Sequence, residues 1–356
     1  MDGSGLLVLE DDRRRAVDRV LDGFFGGAKV RAAAFGEAYV RLWDILEEST
    51  IGGKRFRPRM VSAVYDALGG TDIDAAAHVG AAFELLHTAL VVHDDVIDGD
   101  HIRRGVPNVA GRYRDRAVDS GLSDRLAALA GTTAAIIAGD LALFSAHRLI
   151  DRTGLPQDVR LRLLDLMDDA VFASAAGELI DVDFSLSESI PHVDEILEME
   201  RAKTAVYSFE TPLQAGAILA GADEGLVALL GAMGREVGIA FQVVDDILGV
   251  FGTEEQTGKT TSGDLREGKR TVLVAYAATR PEWARVASDF GDPDLDEAGA
   301  ERIRAVLADT GALAFARDVA RRHADRALEL LSDPDVPDAL REALRPVASA
   351  VLERVR

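Results

Sequence analysis

Cysteine is absent from the 356 residues, which excludes disulfides, zinc–thiolate centres, iron–sulfur clusters and thiol nucleophiles together. Basic charge is in deficit. Forty Lys and Arg stand against 61 Asp and Glu, a net charge of −21, with no clustered positive face of the kind that neutralises nucleic-acid phosphates. Nucleic acid is therefore not expected as a partner. A positively charged leader is missing from the N-terminus, whose short apolar stretch Leu6-Leu7-Val8-Leu9 is too brief for a signal peptide or a span. No transmembrane run is expected, and the protein is placed in the cytoplasm. Lysine is scarce as well, with five among the 40 basic residues.

What the chain does have is apolar content, 48% of its residues, enough for a sizeable buried core. Apolar residues recur at three- and four-residue spacing, the period of amphipathic helices, while strand-like alternation is hard to find. The pattern predicts helices over roughly 11–25, 30–48, 55–69, 73–98, 123–152, 157–183, 193–221, 224–251, 270–279, 296–333 with a break near Gly311, and 337–355. Gly and Pro punctuate the intervals between them. With no repeat and no low-complexity linker, the expectation is one all-α domain over residues 1–356.

Two of these helices depart from amphipathic design. The stretches 79–98 and 237–251 are apolar nearly all round, as buried helices are. Each nevertheless carries an aspartate doublet, Asp94-Asp95 followed by Asp98, and Asp245-Asp246. Residues four apart share a helix face, so Asp94 and Asp98 point the same way and Asp95 lies about a quarter turn off. Other doublets in so acidic a chain, such as Asp11-Asp12 and Asp168-Asp169, read as solvated faces or caps. Unpaired carboxylates in an apolar setting are unfavourable and call for cations. All-oxygen donors favour a hard cation such as Mg²⁺, which takes one or two carboxylates together with substrate phosphates.

The basic residues point the same way. Four of the five lysines fall in glycine- or threonine-punctuated segments: Gly53-Lys54-Arg55-Phe56-Arg57-Pro58, Lys203-Thr204, Gly258-Lys259-Thr260 and Glu267-Gly268-Lys269. Arg103-Arg104-Gly105 follows the first aspartate cluster directly. Lys binds phosphate as a point charge and Arg bidentately. An acidic patch, a metal and a basic rim together describe a diphosphate clamp.

Taken in order, Gly53-Lys54, Arg57-Pro58, Asp94-Asp95-Val96-Ile97-Asp98, Arg103-Arg104-Gly105, Gly139-Asp140, Gly177-Glu178, Lys203-Thr204, Phe241-Gln242, Asp245-Asp246 and Asp264 to Thr271 resemble the trans-isoprenyl diphosphate synthases, or polyprenyl synthetases. The likeness covers about residues 50–275 and is greatest to bacterial geranylgeranyl diphosphate synthases. It implies an isoprenoid-synthase helical bundle around a deep central cavity, Mg²⁺ as cofactor with three ions when substrate is bound, and a homodimer. It implies condensation of isopentenyl diphosphate with an allylic diphosphate (dimethylallyl, geranyl or farnesyl). By matched position, Asp94, Asp98 and Asp245 would hold metal, with Asp95 and Asp246 in support. Arg103, Lys203, Gln242, Lys259 and Lys269 would contact the allylic diphosphate. Lys54, Arg57, His87 and Arg104 would hold isopentenyl diphosphate, Gly53 would belong to the substrate-binding set, and Thr204 would stabilise the cation.

Two departures stand out: Gly249 where many members carry a third aspartate, and Pro107-Asn108-Val109-Ala110 in place of Pro-Thr-Val-His. Upstream of Asp94 the first aromatic is Phe83, on the same helical azimuth and about 16 Å away at 1.5 Å per residue. As a floor under the growing tail it suits a twenty-carbon product. Rival readings are a longer-chain synthase, a class I terpene cyclase, a di-iron bundle built on Glu84-Leu-Leu-His87, a phosphohydrolase built on His93-Asp94, and a silent partner subunit. The cyclase needs no second diphosphate site, and the di-iron site wants a second Glu-x-x-His pair, which is not found.

Overall fold

The computed structural model describes residues 11–51, 55–253 and 261–355; Gly53, Lys54 and Lys259 lie outside the described residues. Helices carry the chain: α1 (Asp11–Ala32), α2 (Glu37–Thr50), α3 (Phe56–Ala67), α4 (Ile73–Ile97), α5 (Val109–Asp119), α6 (Asp124–Asp151), α7 (Gln157–Leu186), α8 (Val193–Glu200), α9 (Thr211–Leu219) and α10 (Glu224–Phe251). Then follow α11 (Gly263–Arg266), α12 (Val272–Ala278), α13 (Glu297–Asp309), α14 (Ala312–Leu331) and α15 (Asp338–Val355). The all-α expectation holds, with corrections. Helix α1 runs on to Ala32, and Gly36 at φ 100° makes the corner into α2, so the helix expected from residue 30 begins at Glu37. Helix α5 and the two-residue strands β1 (Ile102–Arg103) and β2 (Val106–Pro107) were not expected.

A second correction falls on the helix expected over 193–221. Residues Arg201–Glu210 are π-helical, and the N–H of Thr211 reaches back five residues to the carbonyl of Val206. The wider turn lies against glycines of α10. A Cβ on Gly238 would fall 2.4 Å from Ala205 Cβ, and one on Gly234 would fall 2.8 Å from Glu210 Cα. Backbone therefore packs on backbone along this contact.

The described residues form two compact units. One comprises those of Leu7–Met167 together with Gln214–Asp223. Within it α4 packs on α6, α3 and α1, and α5 packs on α6. Asp72 caps α4, accepting from the Ala75 N–H at 2.9 Å. The other unit comprises Asp168–Leu213 with the described residues of Glu224–Arg356. There α10 packs on α14, α15 and the π-helical segment.

The expectation that no run is long and apolar enough to cross a membrane is also corrected. Helices α4, α6 and α10 each contain an eighteen-residue window of mean hydropathy 1.5, 1.7 and 1.5. Burial accounts for two of them, since 72% of the α4 window and 61% of the α10 window lie inside the protein. Only 39% of the α6 window does. Its outer face shows Leu126, Leu129, Ile136, Ile137 and Phe144.

Candidate active site

The first aspartate cluster stands at the C-terminal end of α4. Asp98 is the cap residue and keeps right-handed helical dihedrals, φ −77° and ψ −11°, so the one-turn relation to Asp94 survives past the helix end. Carboxylate oxygens of Asp94 and Asp98 lie within 4.8 Å of each other. Asp98 is exposed and Asp94 half-buried, whereas Asp95, a quarter turn away, is buried. Burial pushes the Asp95 carboxyl above its usual range despite the adjacent guanidinium of Arg103.

That guanidinium arrives on the β1–β2 hairpin. Its two central residues, Arg104 at φ 54° and Gly105 at φ 76°, are those of a type I′ turn, which suits a two-residue hairpin. The strained non-glycine position belongs to Arg104, an exposed residue, while Arg103 turns back toward α4. It donates to Asp95 Oδ1 at 2.6 Å and to Asp94 Oδ2 at 2.9 Å. Arg103, expected on the allylic diphosphate, thus stands on the first aspartate cluster. Asn108, one of the two departures, gains a physical account. Its Oδ1 accepts from the Gly111 N–H at 2.8 Å and caps α5, and its Nδ2 donates to the Asp100 carbonyl at 2.8 Å, closing the hairpin base.

Deeper on α4 is His87. Burial, with the positive charges of Arg57, Arg104 and Arg103, pushes its pKa well below the ordinary 6.5. The ring is neutral at pH 7. Glu84, one turn earlier, is taken by Arg55 at 3.3 Å, which removes it from the di-iron reading. His93 packs onto α6, 3.4 Å from Asp140 Oδ1, at a place where a Cβ on Gly139 would lie 2.2 Å from its Nε2. The Gly139-Asp140 pair is thus a seat for a helix-face histidine.

The second unit holds the remaining described residues. Lys203 and Thr204 ride on the π-helical segment. Lys203 Nζ lies 3.1 Å from Glu178 and 2.7 Å from Asp181 of α7. This close approach depends on Gly177, since a Cβ there would fall 2.2 Å from the Lys203 backbone nitrogen. On α10 the doublet divides as the first one does: Asp245 is exposed and Asp246 is buried. Asp246 Oδ1 accepts from Gln242 Nε2 at 3.0 Å and lies 3.9 Å from Lys269 Nζ. Burial raises its carboxyl to about 6, against the opposing pull of Lys269. Beside it Glu200, 2% exposed, is pushed well above the usual carboxylate range by burial and by the charge of Asp246.

Gly249 receives an explanation in the same unit. A Cβ built there would stand 2.2 Å from Asp264 Oδ2, so the Asp264 carboxylate occupies the place where a side chain at 249 would begin. Sequence reasoning assigned no role to Asp181, Glu200 or Asp264. Asp181 was signalled only by its three-residue spacing from Glu178 on one helix face, and nothing local marks Glu200. The exposed carboxylates offer oxygen donors alone, a set that fits a hard cation such as Mg²⁺.

Comparison with known proteins agrees with this chemistry. The polyprenyl synthetase family model matches residues 41–306. The chain is similar to the geranylfarnesyl diphosphate synthase of Aeropyrum pernix, 33% identical over 310 residues, 86% of this chain and 91% of the relative. It is 37% identical to the geranylgeranyl diphosphate synthase of Sulfolobus acidocaldarius over 227 residues, 63% of either chain. Among solved structures, a Corynebacterium glutamicum geranylgeranyl pyrophosphate synthase complexed with isoprenyl diphosphate and magnesium matches at TM-score 0.90 and 30% identity. That match covers 98% of this chain and 100% of the other.

Two outcomes are expected. Gly249→Asp and Gly249→Ala both displace the Asp264 carboxylate and lower prenyl-transfer turnover about tenfold, ~1.4 kcal/mol in barrier; unchanged turnover in both contradicts a placed Asp264. For His87, an unfolded-state pKa near about 6.5 lies above the depressed native one. On acidification the unfolded chain takes up that proton first, so stability present above the unfolded pKa is lost as pH falls toward the native value. Urea midpoints measured from pH 7 to 5 therefore fall less steeply in His87→Gln; parallel slopes contradict a depressed His87 pKa.

Proposed function

This chain belongs to the polyprenyl synthetase family, and from that premise we propose that it joins isopentenyl diphosphate head to tail to allylic diphosphates, ending at all-trans geranylgeranyl diphosphate. It is a prenyltransferase, a trans-prenyl diphosphate synthase. The observation that carries the reading is the paired arrangement of aspartates, one carboxylate of each doublet buried and one presented outward. Arg57 and Arg104, whose positive charges both act on His87, support a second diphosphate site, which favours condensation over a terpene cyclase.

Asp94, Asp98 and Asp245 would hold Mg²⁺, which when bound supplies Lewis-acid neutralisation of the departing diphosphate. Arg103 keeps Asp94 and Asp95 in register from the hairpin, and Gln242 with Lys269 does the same for Asp246. Lys203, poised at Glu178 and Asp181, adds a cation for the allylic diphosphate, alongside Lys259 and Lys269. The allylic carbon–oxygen bond breaks with its electron pair leaving on the diphosphate. The double bond of isopentenyl diphosphate, held by Lys54, Arg57, His87 and Arg104, then attacks the allylic carbon, with Thr204 oxygen beside the positive charge. Loss of a proton from the carbon next to the new cation completes the chain.

Product length rests on α4. Phe83 is fully buried, eleven residues before Asp94, and Ala89 between them is small. An aromatic floor at that depth supports a twenty-carbon tail. A homodimer is the second part of the reading: the apolar outer face of α6 suits a second copy of the chain, which offers the same face in return. Sedimentation velocity is expected to give a dimer that Ile137→Asp dissociates; a wild-type monomer contradicts it.

The main test is incubation of purified protein with Mg²⁺, labelled isopentenyl diphosphate and five-, ten- or fifteen-carbon allylic diphosphates, with the dephosphorylated alcohols separated by chromatography. Twenty-carbon alcohol is expected, and Phe83→Ala shifts it to longer alcohols. Asp94→Ala and Asp245→Ala lower turnover at least ~100-fold, about 2.7 kcal/mol, with the fold intact. Near-wild-type turnover in both removes the metal assignment, and an unchanged Phe83→Ala spectrum moves the floor elsewhere.

A further inference from the structure

Three cations lie in the segment Lys54-Arg55-Phe56-Arg57, and the middle one is turned into the protein. Arg55 sits at φ 51°, ψ 43°, the left-handed region, at the residue that precedes α3. A non-glycine residue there is strained and persists only where its surroundings fix it. Its side chain is turned inward and 4% exposed. Nη1 donates to the Thr50 carbonyl at 2.8 Å and to Glu84 Oε2 at 3.3 Å. Nε and Nη2 donate to Asp18 Oδ1 at 3.1 and 3.0 Å. One planar fork therefore ties the end of α2 to α1 and to α4, a geometry that the single ammonium of lysine does not reproduce.

The same residue starts α3. Its carbonyl accepts from the Arg59 N–H at 3.0 Å, so the orientation of residue 55 sets the first turn, which carries Arg57 and Pro58. Pro58 lies directly on α4, where a Cβ at Gly80 would stand 2.9 Å from Pro58 Cβ. Along α4, Gly80, Glu84 and His87 follow one another at four- and three-residue steps, a single helix face. Pro58 meets the first and Arg55 the second. Arg57 acts electrostatically on the third.

We propose that Arg55 is a positioning residue for the isopentenyl diphosphate site: through Asp18, Thr50 and Glu84 it fixes Arg57 against His87 and does not itself touch substrate. The inference rests on the prenyl-transfer reading given above. It separates two contributions to affinity, because the aspartates of α4 and α10 take no part in this anchor.

The test compares wild type with Arg55→Lys, Asp18→Asn and Glu84→Gln. Steady-state kinetics is run with each substrate varied, and isopentenyl diphosphate binding is measured by calorimetry without metal. The expected result is a KM and Kd for isopentenyl diphosphate raised about tenfold, with kcat and the allylic KM within about twofold. Asp18→Asn leaves the guanidinium its other partners and carries the same test if Arg55→Lys does not fold. Equal rises in both KM values, or unchanged KM values with a lowered Tm, overturn the proposal and leave Arg55 a scaffold residue. Absence of prenyl transfer in the wild type instead defeats the functional reading, and the calorimetric Kd still reports on Arg55.

Discussion

The structure turns on what it costs to bring aspartates to the ends of apolar helices. A doublet on a helix separates its two side chains by about 100°, so at the margin of a core one faces inward and the other outward. Asp95 and Asp246 are the inward members, and burial raises both carboxyls. Neither is left alone. Arg103 meets Asp95 at 2.6 Å, and Gln242 and Lys269 serve Asp246. With the inward carboxylates held by protein groups, Asp98 and Asp245 remain as the exposed members of the two clusters. The net charge of −21 thus conceals a local balance at the site.

Glycine supplies the second constraint. At 177, 234 and 238 the missing Cβ lets the π-helical segment approach α7 and α10 backbone to backbone, and the approach at Gly177 brings Lys203 to Glu178 and Asp181. At 249 it leaves room for Asp264. The charged groups of this unit are therefore positioned by packing as much as by their own pairing. The cationic site of the other unit is organised differently, with a buried arginine where the first relies on close helix contacts.

The long apolar helices were legible because burial on all sides writes itself into composition, and the aspartate doublets were conspicuous against that background. Helix α5 was not, since Arg112, Arg114 and Arg116 leave little apolar stripe to detect. The hairpin was too short for alternation, although Arg103-Arg104-Gly105 marked its turn. A π-turn changes the hydrogen-bond step while keeping the residues helical, so periodicity at this resolution of reading passes over 201–210. Side-chain partners were the least legible. Nothing in the sequence said that Arg103 would meet Asp94 and Asp95. Glu84, expected in a metal pair under one reading, lies on Arg55. In each case the sequence revealed a charge but not which opposite charge the fold would bring to it.

The central claim is a division of labour: carboxylates with Mg²⁺ receive the allylic diphosphate, and protein cations around His87 receive isopentenyl diphosphate. Calorimetric titration of the wild-type protein with each ligand, with Mg²⁺ and with a chelator, tests it most directly, using a non-ionising thiolo analogue for the allylic partner. The account predicts that chelation abolishes binding of the allylic analogue and leaves binding of isopentenyl diphosphate within about twofold. Equal dependence of both ligands on Mg²⁺ would contradict it.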